Sequence, residues 1–301
     1  MKKNNIIIIG VLDKKGSTNI SIAKSFMRFD FNVIPINYRT VIEEKGMQFF
    51  IDLVIRACKT YKPDFVFFCK TNGIPPELIS ECNKYTKTYY YFMDAVQTAQ
   101  ACKAAEYAKL TNFSSCTGYG VSKWFEEQGV PKCYTIFDGL DYDIFKPYEA
   151  KKEYNISFIG SKVYNRNFFA KSVNAKCFGP GYEKSVIDSE FSEVCAKSKF
   201  MLSMGTFSDI PVCFSNRLLR YLGCGACVLH YDPTDSLEQV FQHGVDLFYF
   251  KTEDELKQLV DSISMEDAGK VAIDGREKVL CNFTWDHFVN AVLSVVRGNH
   301  E

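Results

Sequence analysis

Apolar positions run in two alternating rhythms from the first residues onward. Residues 5–12 are a continuous apolar run that ends at a turn, the pattern of a strand buried on both faces. Residues 17–28 then read as a helix and 32–37 as a strand. From Glu44 to Lys59 the apolar residues Phe50, Leu53, Val54 and Ala57 recur at helical spacing. The alternation continues with strands expected at 64–69, 88–92, 110–114 and 133–137, and helices at 75–85, 95–108 and 121–128. Strands alternating with helices predict a parallel sheet covered on both faces.

A turn-rich stretch from Asp138 to Pro147, followed by charged Glu149 to Glu153, marks the expected domain boundary. A second series follows, with strands expected at 154–159, 175–178, 200–204, 226–231 and 247–250. Helices are expected from about Tyr164 and at 184–196, 215–222 and 236–242. Thr252 to Glu255 has capping-box spacing ahead of Leu256, Leu259, Val260 and Ile263. A helix at 266–280 precedes one opening at Thr284, with Trp285, Phe288, Val292 and Val296 on one face. The pattern predicts an α/β protein of two tandem, doubly wound Rossmann-like domains, 1–147 and 152–301, closing on C-terminal helices.

Length agrees, since 301 residues hold two domains of ordinary size. Charge narrows the function: 36 Lys and Arg against 36 Asp and Glu leave no global field to gather nucleic acid or an anionic membrane. Recognition of phosphate must then be local. Apolar runs such as Ile6 to Ile9 and Phe65 to Cys69 are too short to span a bilayer. Met1-Lys2-Lys3 and the following apolar stretch mimic half a signal peptide, but Asp13-Lys14-Lys15 interrupts it without a small-residue cleavage site. The 12 cysteines are scattered, several of them in apolar strand segments, which fits free thiols in a reducing cytoplasm.

The loops at the carboxyl ends of parallel strands are the natural places for a nucleotide. The first, Gly10 to Thr18, lacks G-x-G-x-x-G. It is no P-loop either, because its spacing is one residue long and no Lys precedes Ser17-Thr18. It is either a strand-to-helix turn facing a cleft or a direct ligand loop. Cys224-Gly225-Ala226-Cys227 resembles a redox C-x-x-C, but a helix ends before it and a strand begins in it, so no helix N-terminus points at the sulfurs. A zinc site on Cys224, Cys227 and His230 would lack a fourth ligand. The 4 histidines, His230, His243, His287 and His300, are isolated from one another and read as core or surface residues. No metal site is expected.

The most informative stretch is Phe214-Ser215-Asn216-Arg217, a helix, Gly223-Cys224-Gly225, and a strand to His230. A cation in a first helical turn opposes the macrodipole, so Arg217 is costly there unless an anion shares the site. Alternatively, Arg217 pairs with Asp209 or Glu238. With Leu237-Glu238, Phe241, Gly244, Asp254-Glu255-Leu256 and Phe283-Thr284-Trp285, these residues resemble the second domain of GT-B glycosyltransferases. The group they most resemble is the CgeB-like one, with a glycosyl-transferase family 1-type C-terminal domain. Ile156 to Ser161 with Arg166, Gly139-Leu140-Asp141 with Phe145-Lys146-Pro147, and more weakly Cys69-Lys70 and Phe92-Met93-Asp94, are similar to features of that family.

The resemblance implies a two-domain fold with a cleft and transfer of a sugar from a nucleotide-sugar donor, without a metal or other cofactor. The donor would lie on the second domain and the acceptor on the first. Donor-binding candidates are Gly160, Ser161, Arg166, Asp209, Ser215, Asn216, Arg217 and Glu238, with backbone N–H groups of Gly160-Ser161 and Ser215-Asn216 helping to hold the diphosphate. An inverting mechanism needs a base from the first domain, and Asp13 and Asp94 at strand ends are the candidates. A retaining one does not need that base, and both stay open. Arg220 stands where many relatives carry a Glu that holds the ribose, which leaves the ribose contact to Glu238 or a backbone group and the nucleotide open. The acceptor is open among glycan, lipid, protein, small molecule and modified nucleic-acid base, and so is the oligomeric state. A nucleotide-sugar epimerase of the same fold and a non-catalytic binder are the alternatives.

Overall fold

The computed structural model describes residues 4–298, so the N-terminal Met1-Lys2-Lys3 and His300 lie outside the described residues. The chain divides into two units, residues 1–137 with 285–301 and residues 138–284. The first is built from β1 (Asn4–Gly10), α1 (Thr18–Arg28), β2 (Phe31–Asn37), α2 (Tyr38–Lys45), α3 (Met47–Tyr61), β3 (Phe65–Cys69), α4 (Glu77–Asn83) and β4 (Lys87–Phe92). It continues with α5 (Val96–Ala101), α6 (Ala104–Leu110), β5 (Phe113–Cys116), α7 (Tyr119–Glu127) and β6 (Cys133–Thr135). Its strands form one parallel sheet in the order β2-β1-β3-β4-β5-β6. Every residue of β3 is buried, as expected of a central parallel strand covered on both faces.

The second unit repeats the principle. It contains β7 (Tyr154–Ile159), α8 (Tyr164–Ser172), β8 (Lys176–Phe178), α9 (Ser189–Lys197), β9 (Ser198–Ser203), α10 (Asn216–Gly223), β10 (Cys227–Tyr231), β11 (Phe248–Phe250), α11 (Glu253–Ser262) and α12 (Met265–Asn282). Its parallel sheet has the order β11-β10-β9-β7-β8. Thr252 caps α11 with the expected reciprocal box, its hydroxyl accepting from Glu255 N–H at 3.2 Å while the Glu255 carboxylate accepts from Thr252 N–H at 3.3 Å.

Both expected domain limits move. Residues 138–147 belong to the second unit: Leu140 is wholly buried, its N–H donates to the Phe283 carbonyl at 2.7 Å, and Phe145 packs edge-on against Phe191 at 5.3 Å. The last helix, α13 (Trp285–Arg297), belongs to the first. Trp285, Phe288, Val289, Val292 and Leu293 complete a core with Ile6, Ile8, Phe26, Phe67 and Tyr91, and the Phe288 ring lies 4.6 Å from that of Tyr91. Asp286 adds an ion pair with Arg28 at 2.7 Å and accepts from the Ser25 hydroxyl at 2.6 Å.

Three helices differ from expectation. The sequence reading passed over α2, because Tyr38 is its one buried residue and leaves no apolar period to read. The expected helix at 95–108 is two, broken at Lys103, whose φ is 54°. The expected helix at 236–242 shrinks to a short 3-10 turn at Leu237–Gln239, and the Gln242 N–H is taken by the Asp246 carboxylate at 2.7 Å. Among the described residues no helix is long and apolar enough to cross a membrane.

Candidate functional site

At the carboxyl edge of the second sheet, β7 ends in Gly160 and β8 runs into Gly179-Pro180-Gly181. The two loops are tied together, Gly160 N–H to the Phe178 carbonyl at 2.8 Å and Lys162 N–H to the Pro180 carbonyl at 2.9 Å. The Gly160 N–H is therefore spent within the fold, which corrects the expectation that it would hold a phosphate. Glycine is needed at Gly160 for another reason, since a Cβ there would stand 2.5 Å from Arg217 Nη1. Gly179, at φ +122°, brings its backbone so close to the Gly160 carbonyl that a Cβ would lie 2.5 Å from that oxygen.

Arg217 and Arg166 converge on one aromatic ring. The Phe158 centroid is 5.1 Å from the Arg217 guanidinium carbon and 5.9 Å from that of Arg166. Arg217 Nη2 donates to the Met204 carbonyl at 2.6 Å. Arg166, only 6% exposed, donates from Nη2 to Thr206 Oγ1 at 2.8 Å and from Nη1 to the Ser161 carbonyl at 3.4 Å. The Nε of each arginine is buried without a partner, and so is the Ser215 hydroxyl. Ser215 holds the extended conformation of an N-cap residue, but its side chain makes no capping bond. Ser161 contributes its carbonyl to Arg166, the opposite polarity to an anion donor.

Neither arginine has a carboxylate partner among the described residues. Asp209 and Glu238 are both exposed, and neither forms an ion pair with Arg217. The charges strain one another: burial, and then the nearby Arg217 charge, push Arg166 down to about 10, and burial likewise pushes Arg217 down. Two buried guanidiniums, an unpartnered hydroxyl and the first turn of α10 lack one thing, an anion.

Asn216 and Arg220 do different work. Asn216 Nδ2 donates to the Gly139 carbonyl at 2.8 Å, and its Oδ1 accepts from Arg220 Nε at 2.7 Å. The Arg220 guanidinium lies 4.6 Å from the centre of the Phe145 ring. Asn216 is thus occupied in fastening residues 139–145 to the helix. The sequence reading missed Phe158, Thr206, the Met204 carbonyl and Tyr221. The Tyr221 hydroxyl accepts from Ile159 N–H at 2.7 Å and donates to the Ile159 carbonyl at 3.1 Å, which locks β7 to α10. The signal for Phe158 and Tyr221 was their type: large aromatics flanking the loop glycine and the helix arginine.

In the first unit, the Gly10 to Thr18 loop satisfies itself. Val11 N–H donates to Asn19 Oδ1 at 2.8 Å, Leu12 N–H to Asn37 Oδ1 at 2.7 Å, and the Ser17 hydroxyl to the Val11 carbonyl at 2.6 Å. This supports the turn over the ligand loop. Asp13 is exposed beyond the end of β1 and accepts from the Thr40 hydroxyl. Asp94, just past β4, accepts from the Lys70 ammonium at the end of β3. Cys224 ends α10 and Cys227 opens β10, while His230 Nδ1 lies 3.0 Å from Ser203 Oγ. All twelve cysteines are free, and among the described residues no group of three His, Cys, Asp or Glu could hold a metal ion.

Residues 145–294 match the family described as Glycosyl transferase-like. No curated protein sequence matches the chain. Among solved structures, Anabaena Alr3699/HepE in complex with UDP-glucose is similar at a TM-score of 0.70 and 10% identity, over 98% of this chain and 99% of that one. An alpha-glucosyltransferase in complex with UDP-glucose and DNA containing an abasic site is similar at 0.71 and 11%, again over 98% and 99%. Sucrose-phosphate synthase from Thermosynechococcus elongatus is similar at 0.71 and 9%, over the same shares. The two parallel sheets with their helices are the GT-B fold of these glycosyltransferases, and residues 145–294 carry the glycosyl transferase-like match within it.

Proposed function

We propose that the protein is a glycosyltransferase that takes a sugar from a nucleoside diphosphate donor and passes it to a hydroxyl acceptor. The observation that carries this reading is the pair Arg166 and Arg217 on Phe158, buried without a counter-ion and each with an unpartnered Nε. A diphosphate supplies the missing charge. As the bond from the anomeric carbon to the diphosphate breaks, its electron pair stays with the phosphate oxygen, and the fixed guanidiniums stabilise that growing charge. In this role they would stand in for a divalent metal. Ser215 Oγ is the further donor at the helix end, Gly160 gives Arg217 its room, and Asn216 orients the first turn. Exposed Asp209 and Glu238 are placed to meet sugar or ribose hydroxyls. On the acceptor side Asp94 and Asp13 are the candidate proton acceptors.

UDP-sugars are the first donors to try, because HepE and the alpha-glucosyltransferase bind UDP-glucose. The Ser215-Asn216-Arg217 and Gly223-Cys224-Gly225 pattern supports the CgeB-like group as the finer placement, and the twelve free thiols support a reducing compartment such as the cytoplasm. The test is turnover of a panel of nucleotide sugars in EDTA, with water and candidate hydroxyl compounds as acceptors. Release of the nucleoside diphosphate, lost in Arg166→Ala and Arg217→Ala, is expected. An epimerised donor without diphosphate release would replace the transferase by an epimerase, and binding without either reaction would leave a binder.

A further inference from the structure

Lys70 is the first residue past β3, and Asp94 lies two residues past the adjacent β4, where Cys69 pairs with Tyr91 in register. The Lys70 backbone is unusual: φ is 44°, a left-handed conformation that a long side chain seldom adopts. It is held there by Lys70 N–H to the Tyr91 carbonyl at 2.9 Å and Asn72 N–H to the Lys70 carbonyl at 3.0 Å. The turn aims the ammonium across to Asp94 Oδ2, 5.9 Å from the centre of the Phe92 ring. Both side chains still reach solvent, at 24% and 37% exposure, and Asp94 Oδ1 takes no hydrogen bond among the described residues.

We infer that Lys70 is a positioning residue for Asp94, fixing one carboxylate oxygen so that the other stays ionised and open to the acceptor hydroxyl. The inference rests on the transferase reading above. In the step it serves, the acceptor O–H bond breaks and its proton passes to Asp94 Oδ1. The oxygen's freed electron pair forms the bond to the anomeric carbon, and the diphosphate leaves with the pair of the bond that breaks. The other groups that face the Lys70 ammonium are Arg39 on α2 and Cys102 after α5. Burial pushes Lys70 down, Cys102 opposes this and Arg39 adds to it, so the ammonium depends on an anion to remain charged, and Asp94 is that anion.

The experiment uses the full chain with UDP-glucose and water as acceptor, comparing wild type, Lys70→Met, Lys70→Arg and Asp94→Asn. Each is checked for UDP affinity and melting temperature. In Lys70→Met the acid limb of kcat/KM moves up by about one pH unit, because the charge favouring the ionised carboxylate is gone. The kcat falls by roughly tenfold or more at neutral pH while KM and UDP affinity hold, as for general-base loss. Lys70→Arg restores the limb, and Asp94→Asn removes it. An unmoved limb in Lys70→Met with UDP binding intact overturns this inference alone. If wild type neither binds UDP nor cleaves any nucleotide sugar of the panel, the transferase reading fails, and this inference falls with it. If Lys70→Met does not fold, an Arg variant with wild-type kcat and limb supports the inference, and a folded Arg variant that loses activity through KM contradicts it.

Discussion

Arg217 occupies the one turn of α10 where a cation opposes the helix dipole, and that conflict was visible in the sequence before any coordinate. The structure removes the bland resolution, since neither Asp209 nor Glu238 pairs with it. It adds a feature the sequence does not show, the Phe158 ring shared with Arg166. That contact joins residues on two strand-to-helix connections far apart in the chain, which no local pattern encodes. Arg217→Ala should weaken nucleoside diphosphate binding by about 1.5–3 kcal/mol, roughly 10- to 100-fold, the range of a hydrogen bond to a charged group. His230 gives a second prediction at this scale. Burial lowers its folded pKa from 6.5 to about 4, with Arg217 adding to the shift and Asp232 opposing it. The unfolded chain therefore binds the proton first: stability is full above pH 6.5 and is lost as pH falls towards 4. His230→Asn should flatten that loss, which acid titrations of the unfolding free energy measure as about 2–3 kcal/mol.

The helices and strands that bury a continuous face were legible: β1, β3, β7 and β10 fall within a few residues of their expected limits. What escaped was decided by tertiary contacts. α2 shows the sheet only Tyr38, and Lys103 breaks a helix by its backbone conformation, not by a Gly or Pro. The loops that build the donor site are the clearest case, because their glycines report close approach and not only turn formation. Gly179→Ala forces a Cβ towards the Gly160 carbonyl at a strained φ, so nucleotide affinity should fall although no arginine is altered. Calorimetric titration checks this against Gly73→Ala as a control, which has the same class of φ and open space around it. For α13, Phe288→Ala should cost about 3–5 kcal/mol in urea unfolding, the range for a large aromatic removed from a packed core.

At the scale of the whole molecule the two-sheet α/β plan was readable from alternation alone, but the limits of the units were not. The turn-rich stretch after β6 looks like a linker, yet Leu140 is fully buried in the second unit and Asn216 bonds Gly139. The last helix carries an apolar face that either unit could cover, and only the described packing assigns it to the first. The central claim is that the carboxyl edge of the second sheet holds the diphosphate of a sugar donor. The most direct test is calorimetric titration of the full chain with UDP, GDP, ADP and dTDP in EDTA, repeated on Arg166→Ala and Arg217→Ala. The account predicts saturable binding of at least one of them to wild type, weakened at least tenfold in either variant. No binding by any of them, or binding that both variants retain unchanged, would contradict it.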